Sequence, residues 1–133
     1  MTDDELIEAA KAIRKNAYCP QSNFYVGAAI IDEMGKLYIG CNVENAAYPQ
    51  SSCAEAGAIS AMVAGGGQRI CTIAIAGGTA HHTSSCTPCG GCRQRISEFA
   101  DTDTRIIVKG NNNEWQSFTL THLLPEAFSS ANL

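Results

Sequence analysis

Cys53-Ala54-Glu55 and Pro88-Cys89-Gly90-Gly91-Cys92 gather three thiols and a carboxyl into two short stretches of the chain. Thiolates suit zinc, a borderline-soft ion that sulfur binds at about 2.3 Å. Two cysteines three residues apart at a helix start can reach one ion together, and Cys53 at the start of another helix adds a third sulfur. Two helix N-termini then aim partial positive charge at the thiolates and are expected to lower their pKa. Three protein ligands leave one tetrahedral position open for water, which marks a catalytic zinc. Glu55 lies two residues after a ligand, so it can face the same cavity without binding the metal and move protons there.

Other readings compete for the same cysteines. Cys86-Thr87-Pro88-Cys89 is a second Cys-x-x-Cys pair, so a redox pair is open to it. So is a closed structural site built from Cys53, Cys86, Cys89 and Cys92. A structural zinc module, however, needs no glutamate beside its ligand. Cys19, Cys41 and Cys71 fall in a loop or in apolar strands and read as packing residues. His81 and His82 sit in a polar loop and read as solvated.

The elements around these residues follow from apolar spacing. Leu6, Ile7, Ala10 and Ile13 predict a helix over 3–16, capped by Thr2 or Asp3. The apolar run 24–31, the turn 32–36 and the run 37–41 predict a hairpin. Ser51 or Ser52 is expected to cap an alanine-rich helix over 53–64 that ends at Gly65-Gly66-Gly67. A strand over 70–76, a loop over 77–91, a helix from about 89 to 99, strands over 104–108 and 115–118, and a helical turn over 120–124 complete the chain. Strands alternate with helices after the hairpin. That order implies parallel pairing with crossover helices, in a mixed five-stranded sheet covered on both faces: a three-layer α/β/α sandwich.

The chain's 133 residues suit a single domain over 1–133, and 45% apolar residues suffice for a packed core. A net charge of −4 and a pI near 5.2 argue against nucleic acid as a partner, because such proteins carry a basic face. No run of 18 apolar residues exists to cross a membrane. The acidic start Thr2-Asp3-Asp4-Glu5 lacks the basic and apolar regions of a secretory signal, so the expected location is the cytoplasm. Seven cysteines, an odd number in a reducing compartment, favour metal or catalysis over disulfides.

The paired motif is the signature of zinc deaminases: His or Cys, one residue, Glu, then Pro-Cys-x-x-Cys. Beyond it, Ala17-Tyr18-Cys19-Pro20, Phe24-Tyr25-Val26-Gly27-Ala28-Ala29, Gly40-Cys41-Asn42-Val43-Glu44-Asn45-Ala46, Cys92-Arg93-Gln94 and Leu123-Leu124-Pro125-Glu126-Ala127-Phe128 resemble segments of the small homotetrameric cytidine deaminases. The resemblance runs nearly end to end. It implies one zinc per subunit on Cys53, Cys89 and Cys92, and hydrolysis of cytidine and deoxycytidine to uridine, deoxyuridine and ammonia. Glu55 would take a proton from the attacking water, protonate N3 and later protonate the leaving amine. Phe24 would stack on the pyrimidine, and Asn42 and Glu44 would hydrogen-bond the ribose hydroxyls. The Ala54 backbone and the Glu55 carboxyl would read the base edge. Tyr48 and Phe128 would close the site from neighbouring subunits of a tetramer.

One position departs from the family's usual pattern. Ala56 stands where Arg commonly follows the catalytic glutamate and donates to a ligand thiolate. Relatives acting on other cytosine nucleosides, such as blasticidin S, also lack that Arg. A modified cytosine nucleoside or blasticidin S is therefore the alternative substrate. Three thiolates on a divalent ion leave a net charge near −1 that something must offset, and Arg93, next to Cys92, is the residue expected to do so.

Overall fold

The computed structural model describes residues 1–133. Its first helix, α1 (Asp3–Ile13), starts where the sequence predicts. Thr2 Oγ1 accepts from the Glu5 backbone N–H and Glu5 Oε1 accepts from the Thr2 backbone N–H, each at 3.1 Å. This capping box satisfies two of the orphan donors of the first turn. A 3₁₀ turn over Arg14–Asn16 carries the helix to its expected end.

The hairpin is β1 (Tyr25–Asp32) and β2 (Leu37–Cys41), antiparallel. Next come α2 (Ala54–Ala64), β3 (Ile70–Gly78), the two-residue β4 (Thr83–Ser84), α3 (Gly90–Glu98), β5 (Arg105–Lys109), β6 (Trp115–Phe118) and the short α4 (Leu120–Leu123). The sheet has six strands, one more than expected: the five expected ones run in the order β2-β1-β3-β5-β6, and β4 pairs with β3 off that path. Within the segment expected to be loop, Thr83 and Ser84 fold back to pair with Gly78 and Gly77.

Only β3 and β5 are parallel neighbours, joined through α3. β1 lies antiparallel to both β2 and β3. The strands that α2 connects, β2 and β3, therefore run the same way with β1 inserted between them. The crossover expected from alternation is present, but it steps over a strand.

Period-two alternation divides the core between the faces of the sheet. Ala28, Ile30, Ile73, Ile75, Ile106 and Val108 pack against Ala54, Ala58 and Met62 of α2 and Ile96 of α3. Their neighbours Ala29, Ala74, Ala76 and Ile107 face Leu6, Ile7 and Ala10 of α1. These are the three layers of an α/β/α sandwich. No helix is long and apolar enough to cross a membrane.

The approach of α2 to the sheet sets the height of its first turn. A Cβ on Gly40 of β2 would stand 2.4 Å from the Ala58 nitrogen and 2.6 Å from the Ala54 carbonyl oxygen. Backbone thus rests on backbone where α2 begins. Gly40→Ala is expected to push the helix off the sheet and to destabilise the fold by about 1–3 kcal/mol, the usual cost of overpacking. Urea denaturation checks this, and a loss below about 0.5 kcal/mol, the range of an innocuous surface change, would show that α2 moves freely.

Candidate active site

Cys53 and Cys89 each occupy the N-cap position of a helix, in extended backbone, at the starts of α2 and α3. Neither helix has a side-chain cap. Ser51 Oγ accepts from Asn45 N and Ser52 Oγ turns to the Cys53 carbonyl, so the expected serine cap on α2 does not form. The thiols hold the places where capping oxygens usually sit, close to the free N–H groups of two first turns. Cys92 follows one turn into α3 and is fully buried.

The sulfurs of Cys53, Cys89 and Cys92 all lie within 4.8 Å of one another. Three sulfurs around one tetrahedral zinc at about 2.3 Å stand about 3.8 Å apart, so a modest contraction seats the ion. The donor set is all thiol, which suits zinc. Cys86 is not part of this cluster. Its sulfur instead lies 2.5 Å from where a Cβ on Gly77 would stand, a position also within 3.1 Å of the Phe24 ring. Cys86 thus stands apart from the three sulfurs that could share one ion.

Electrostatics at the thiols differ from the simple helix-end expectation. The Cys89 thiol is lowered from its ordinary value, chiefly by the backbone N–H of Cys92 and also by that of Gly91. Burial pushes the Cys53 thiol up, and the charges of Glu55 and Cys89 add to the rise. Burial pushes Cys92 far above the usual thiol range, with Glu55 and Cys53 contributing. The helix end therefore prevails only at the most exposed of the three sulfurs. Cys86, removed from bulk water, is pushed up to about 11, with the Glu55 charge adding to the burial.

Glu55 is only 5% exposed, on the first turn of α2. Burial raises its carboxyl above the usual range, opposed by a hydrogen bond with Cys92 and the charge of Arg95. A carboxyl moved toward neutral pH in a closed pocket has the character of a general acid and base.

A cavity of about 280 Å³ opens over this group, lined by Asn42, Glu44, Cys53, Ala54, Glu55 and Cys89 among the residues singled out from sequence, while Phe24 and Cys92 are not in its wall. Val26, Ser51, Ser52, Cys86 and Thr87 complete the wall. None of these five was expected from sequence to line the pocket. Val26 is two residues after Phe24, a spacing that shares one strand face, and Cys86 and Thr87 directly precede Pro88-Cys89. Asn42 Oδ1 accepts from Val26 N at 2.8 Å and its Nδ2 donates to the Phe24 carbonyl at 2.9 Å. The Glu44 carboxylate accepts from Gln21 N at 2.8 Å and Ser22 Oγ at 2.5 Å. Both side chains are thus anchored by the chain on either side of Asn23.

Tyr48 and Phe128 lie outside this cavity, 71% and 57% exposed. A larger open depression of about 640 Å³ lies between α1 and the 80–83 loop. Its charged walls contain none of the cysteines. His81 and His82 there are exposed, as expected.

Arg93 does not meet the thiolates. Its Nε donates to the Pro88 carbonyl at 2.7 Å and its Nη1 to the Leu123 carbonyl at 2.8 Å, tying the start of α3 to α4. Adjacent helix positions diverge by about 100°, so the residue after Cys92 is turned away from the face Cys92 presents. Arg95 takes the contact instead, with Nη1 3.6 Å from Cys92 Sγ.

Residues 1–109 match the family described as the cytidine and deoxycytidylate deaminase zinc-binding region. A cytidine deaminase of Sporosarcina psychrophila is 38% identical over 133 residues, covering 100% of this chain and 96% of that protein. The crystal structure of cytidine deaminase from Burkholderia pseudomallei superposes with a TM-score of 0.85 at 41% identity, covering 96% of this chain and all of that one. That of the Mycobacterium tuberculosis cytidine deaminase gives 0.83 at 33% identity, covering 97% and 99%.

The ligand assignment has a direct check by metal analysis of purified variants. Cys53→Ala, Cys89→Ala and Cys92→Ala are each expected to lose zinc, and Cys86→Ser to keep it. Zinc loss from Cys86→Ser would restore the four-thiolate reading.

Proposed function

The chain belongs to the cytidine and deoxycytidylate deaminase zinc-binding family, and on that premise we propose how its residues carry out the hydrolytic deamination of cytidine and deoxycytidine. The observation that carries the proposal is the convergence of three thiols beside a buried carboxyl at the wall of one cavity.

Cys53, Cys89 and Cys92 would hold one zinc per subunit. When bound, the ion deprotonates its thiol ligands and serves as a Lewis acid that makes a water nucleophilic at neutral pH. Glu55 accepts the proton that this water gives up as its oxygen bonds to C4, and passes it to N3 of the base. It then takes the remaining proton from that oxygen and delivers it to the exocyclic amine, the C4–N bond breaks, and ammonia leaves with the carbonyl formed. The closed environment of Glu55 suits this relay, because burial raises its carboxyl above the usual range and makes it a better proton acceptor from water. The Ala54 backbone, at the same helix start, would read the base edge together with Glu55.

Phe24, whose ring stands beside Gly77 near Cys86, would stack on the pyrimidine. Asn42 and Glu44 would take the ribose hydroxyls. Their bonds to the backbone hold each side chain in place, and each retains capacity for a further hydrogen bond. The cavity holds two carboxylates and no cation, which favours an uncharged nucleoside over a 5′-phosphorylated nucleotide.

Tyr48 and Phe128 expose their rings on the protomer, which supports a homotetramer in which neighbouring subunits use them to complete each site. We read residues 1–133 as one catalytic domain working in the cytoplasm, where the chain's seven unpaired thiols stay reduced.

Purified zinc-loaded protein is expected to convert cytidine to uridine and to leave cytidine 5′-monophosphate untouched, followed by loss of cytidine absorbance. Absence of turnover with cytidine and deoxycytidine would defeat the substrate assignment. Glu55→Gln is expected to keep the fold and the zinc and to lower kcat by at least about 10²–10⁴-fold, since the amide cannot carry the proton. Turnover within about tenfold of wild type would remove Glu55 from the relay.

A further inference from the structure

The site gathers negative charge. Three thiolates exceed the charge of a divalent ion by one, and Glu55 adds another when ionised. Burial makes that excess costly unless a cation faces it. Helix ends supply partial charges only, and Ala56, next to Glu55 on α2, offers no charge. Arg93 is already committed to two carbonyls.

We propose that Arg95 is the cation that balances the zinc site, a positioning residue that donates from its guanidinium to the Cys92 thiolate and holds the charge of the three-sulfur cluster in check. This deepens the zinc-deaminase reading above and rests on it.

Three observations converge on Arg95. Its Nη1 is 3.6 Å from Cys92 Sγ, within reach of an N–H···S bond, and no other cation hydrogen-bonds a sulfur of the cluster. The guanidinium lies back across the first turn of α3, where the absence of a side chain on Gly91 leaves room for it. A Cβ there would stand 3.3 Å from Arg95 Nη1 and 3.9 Å from Cys89 Sγ. The placement therefore depends on glycine at position 91. On the other side, Ala56 and Arg95 border one cavity of about 370 Å³, so the small residue on α2 leaves space beside the large one on α3. Glu98 lies one turn further along α3 and is the obvious competing partner, yet Arg95 forms no ion pair with it. The charge of Arg95 also acts to lower the Cys53 thiol and the Glu55 carboxyl, against the larger upward push of burial at both.

A guanidinium stays charged at every working pH and donates from a fixed fork, so its bond to sulfur persists once the thiol is ionised. It stabilises the loaded site, whose thiolates carry the excess charge, more than the site with neutral thiols. Zinc is therefore held more tightly with Arg95 than without it. Drawing electron density from Cys92 also leaves the ion a stronger Lewis acid.

The test uses the full-length protein and its Arg95→Ala and Arg95→Lys variants. Zinc affinity is measured by competition with a chelator at one fixed pH, and the cobalt-substituted proteins are compared by their thiolate-to-metal charge-transfer absorption. The side chain of Arg95 is exposed, so neither variant should compromise folding. Arg95→Ala is expected to weaken zinc binding by about 10–100-fold, the usual effect of removing a partner of a metal ligand. It should also move the charge-transfer band to lower energy, and Arg95→Lys should fall between. Wild-type affinity together with an unshifted band in Arg95→Ala would overturn the proposal. So would weakened binding with an unshifted band, since that is the mark of lost packing. Failure of the wild-type protein itself to bind zinc would instead defeat the reading on which the proposal rests.

Discussion

Two helix N-termini have to meet at one point for the three sulfurs to share an ion, and the remainder of the fold serves that meeting. α2 is seated by direct backbone contact with β2 at Gly40 and by its buried face of Ala54, Ala58 and Met62 in the core. α3 is seated by Ile96 in the same core and by Arg93, which ties its first turn to the carbonyls of Pro88 and Leu123. Both helices lie on one face of the sheet. α1 covers the other face through the small residues Ala29, Ala74 and Ala76 and contributes no ligand.

Charge is the second constraint, and it pulls against the first. Closing the cavity around Cys92 and Glu55 makes both harder to ionise, while zinc ligation requires thiolate. The helix end lowers only Cys89, the sulfur nearest water. The metal and a facing guanidinium supply what the helix dipoles leave unbalanced. The same closure raises the Glu55 carboxyl above its usual range, so one burial acts on a sulfur of the cluster and on the carboxyl beside it.

The three-sulfur cluster was legible in the sequence because Cys-x-x-Cys and Cys-x-Glu spacings are short and their geometry is nearly fixed by the helices they begin. The strand pattern was legible for the same local reason. Legibility fell where the chain chose among several nearby residues of suitable type. Arg93 is adjacent to a ligand in sequence, but Arg95 stands at i+3 from Cys92 and therefore shares its helix face. The helical spacing carried that signal, and adjacency concealed it. Ser51 and Ser52 are good capping residues, yet the extended cap position fell to Cys53, where function places a thiol. The antiparallel pairing of β1 with β3 follows from strand order, which local periodicity does not encode.

The side chains around the cavity show the same division. Asn42 and Glu44 belong to the wall and also hold the backbone of the loop beneath it, so one pair of residues fits both the bland and the functional reading. Such double use separates a ligand-shaped pocket from a merely polar loop only when the reacting centre lies beside it, as the three thiols and Glu55 do here.

X-ray absorption at the zinc edge of the loaded wild-type protein tests the central claim most directly. A catalytic site held by Cys53, Cys89 and Cys92 predicts three sulfurs at about 2.3 Å and one oxygen at about 2.0–2.2 Å. Four sulfurs with no oxygen would contradict it, and would make the metal a structural fastening with no position left for water.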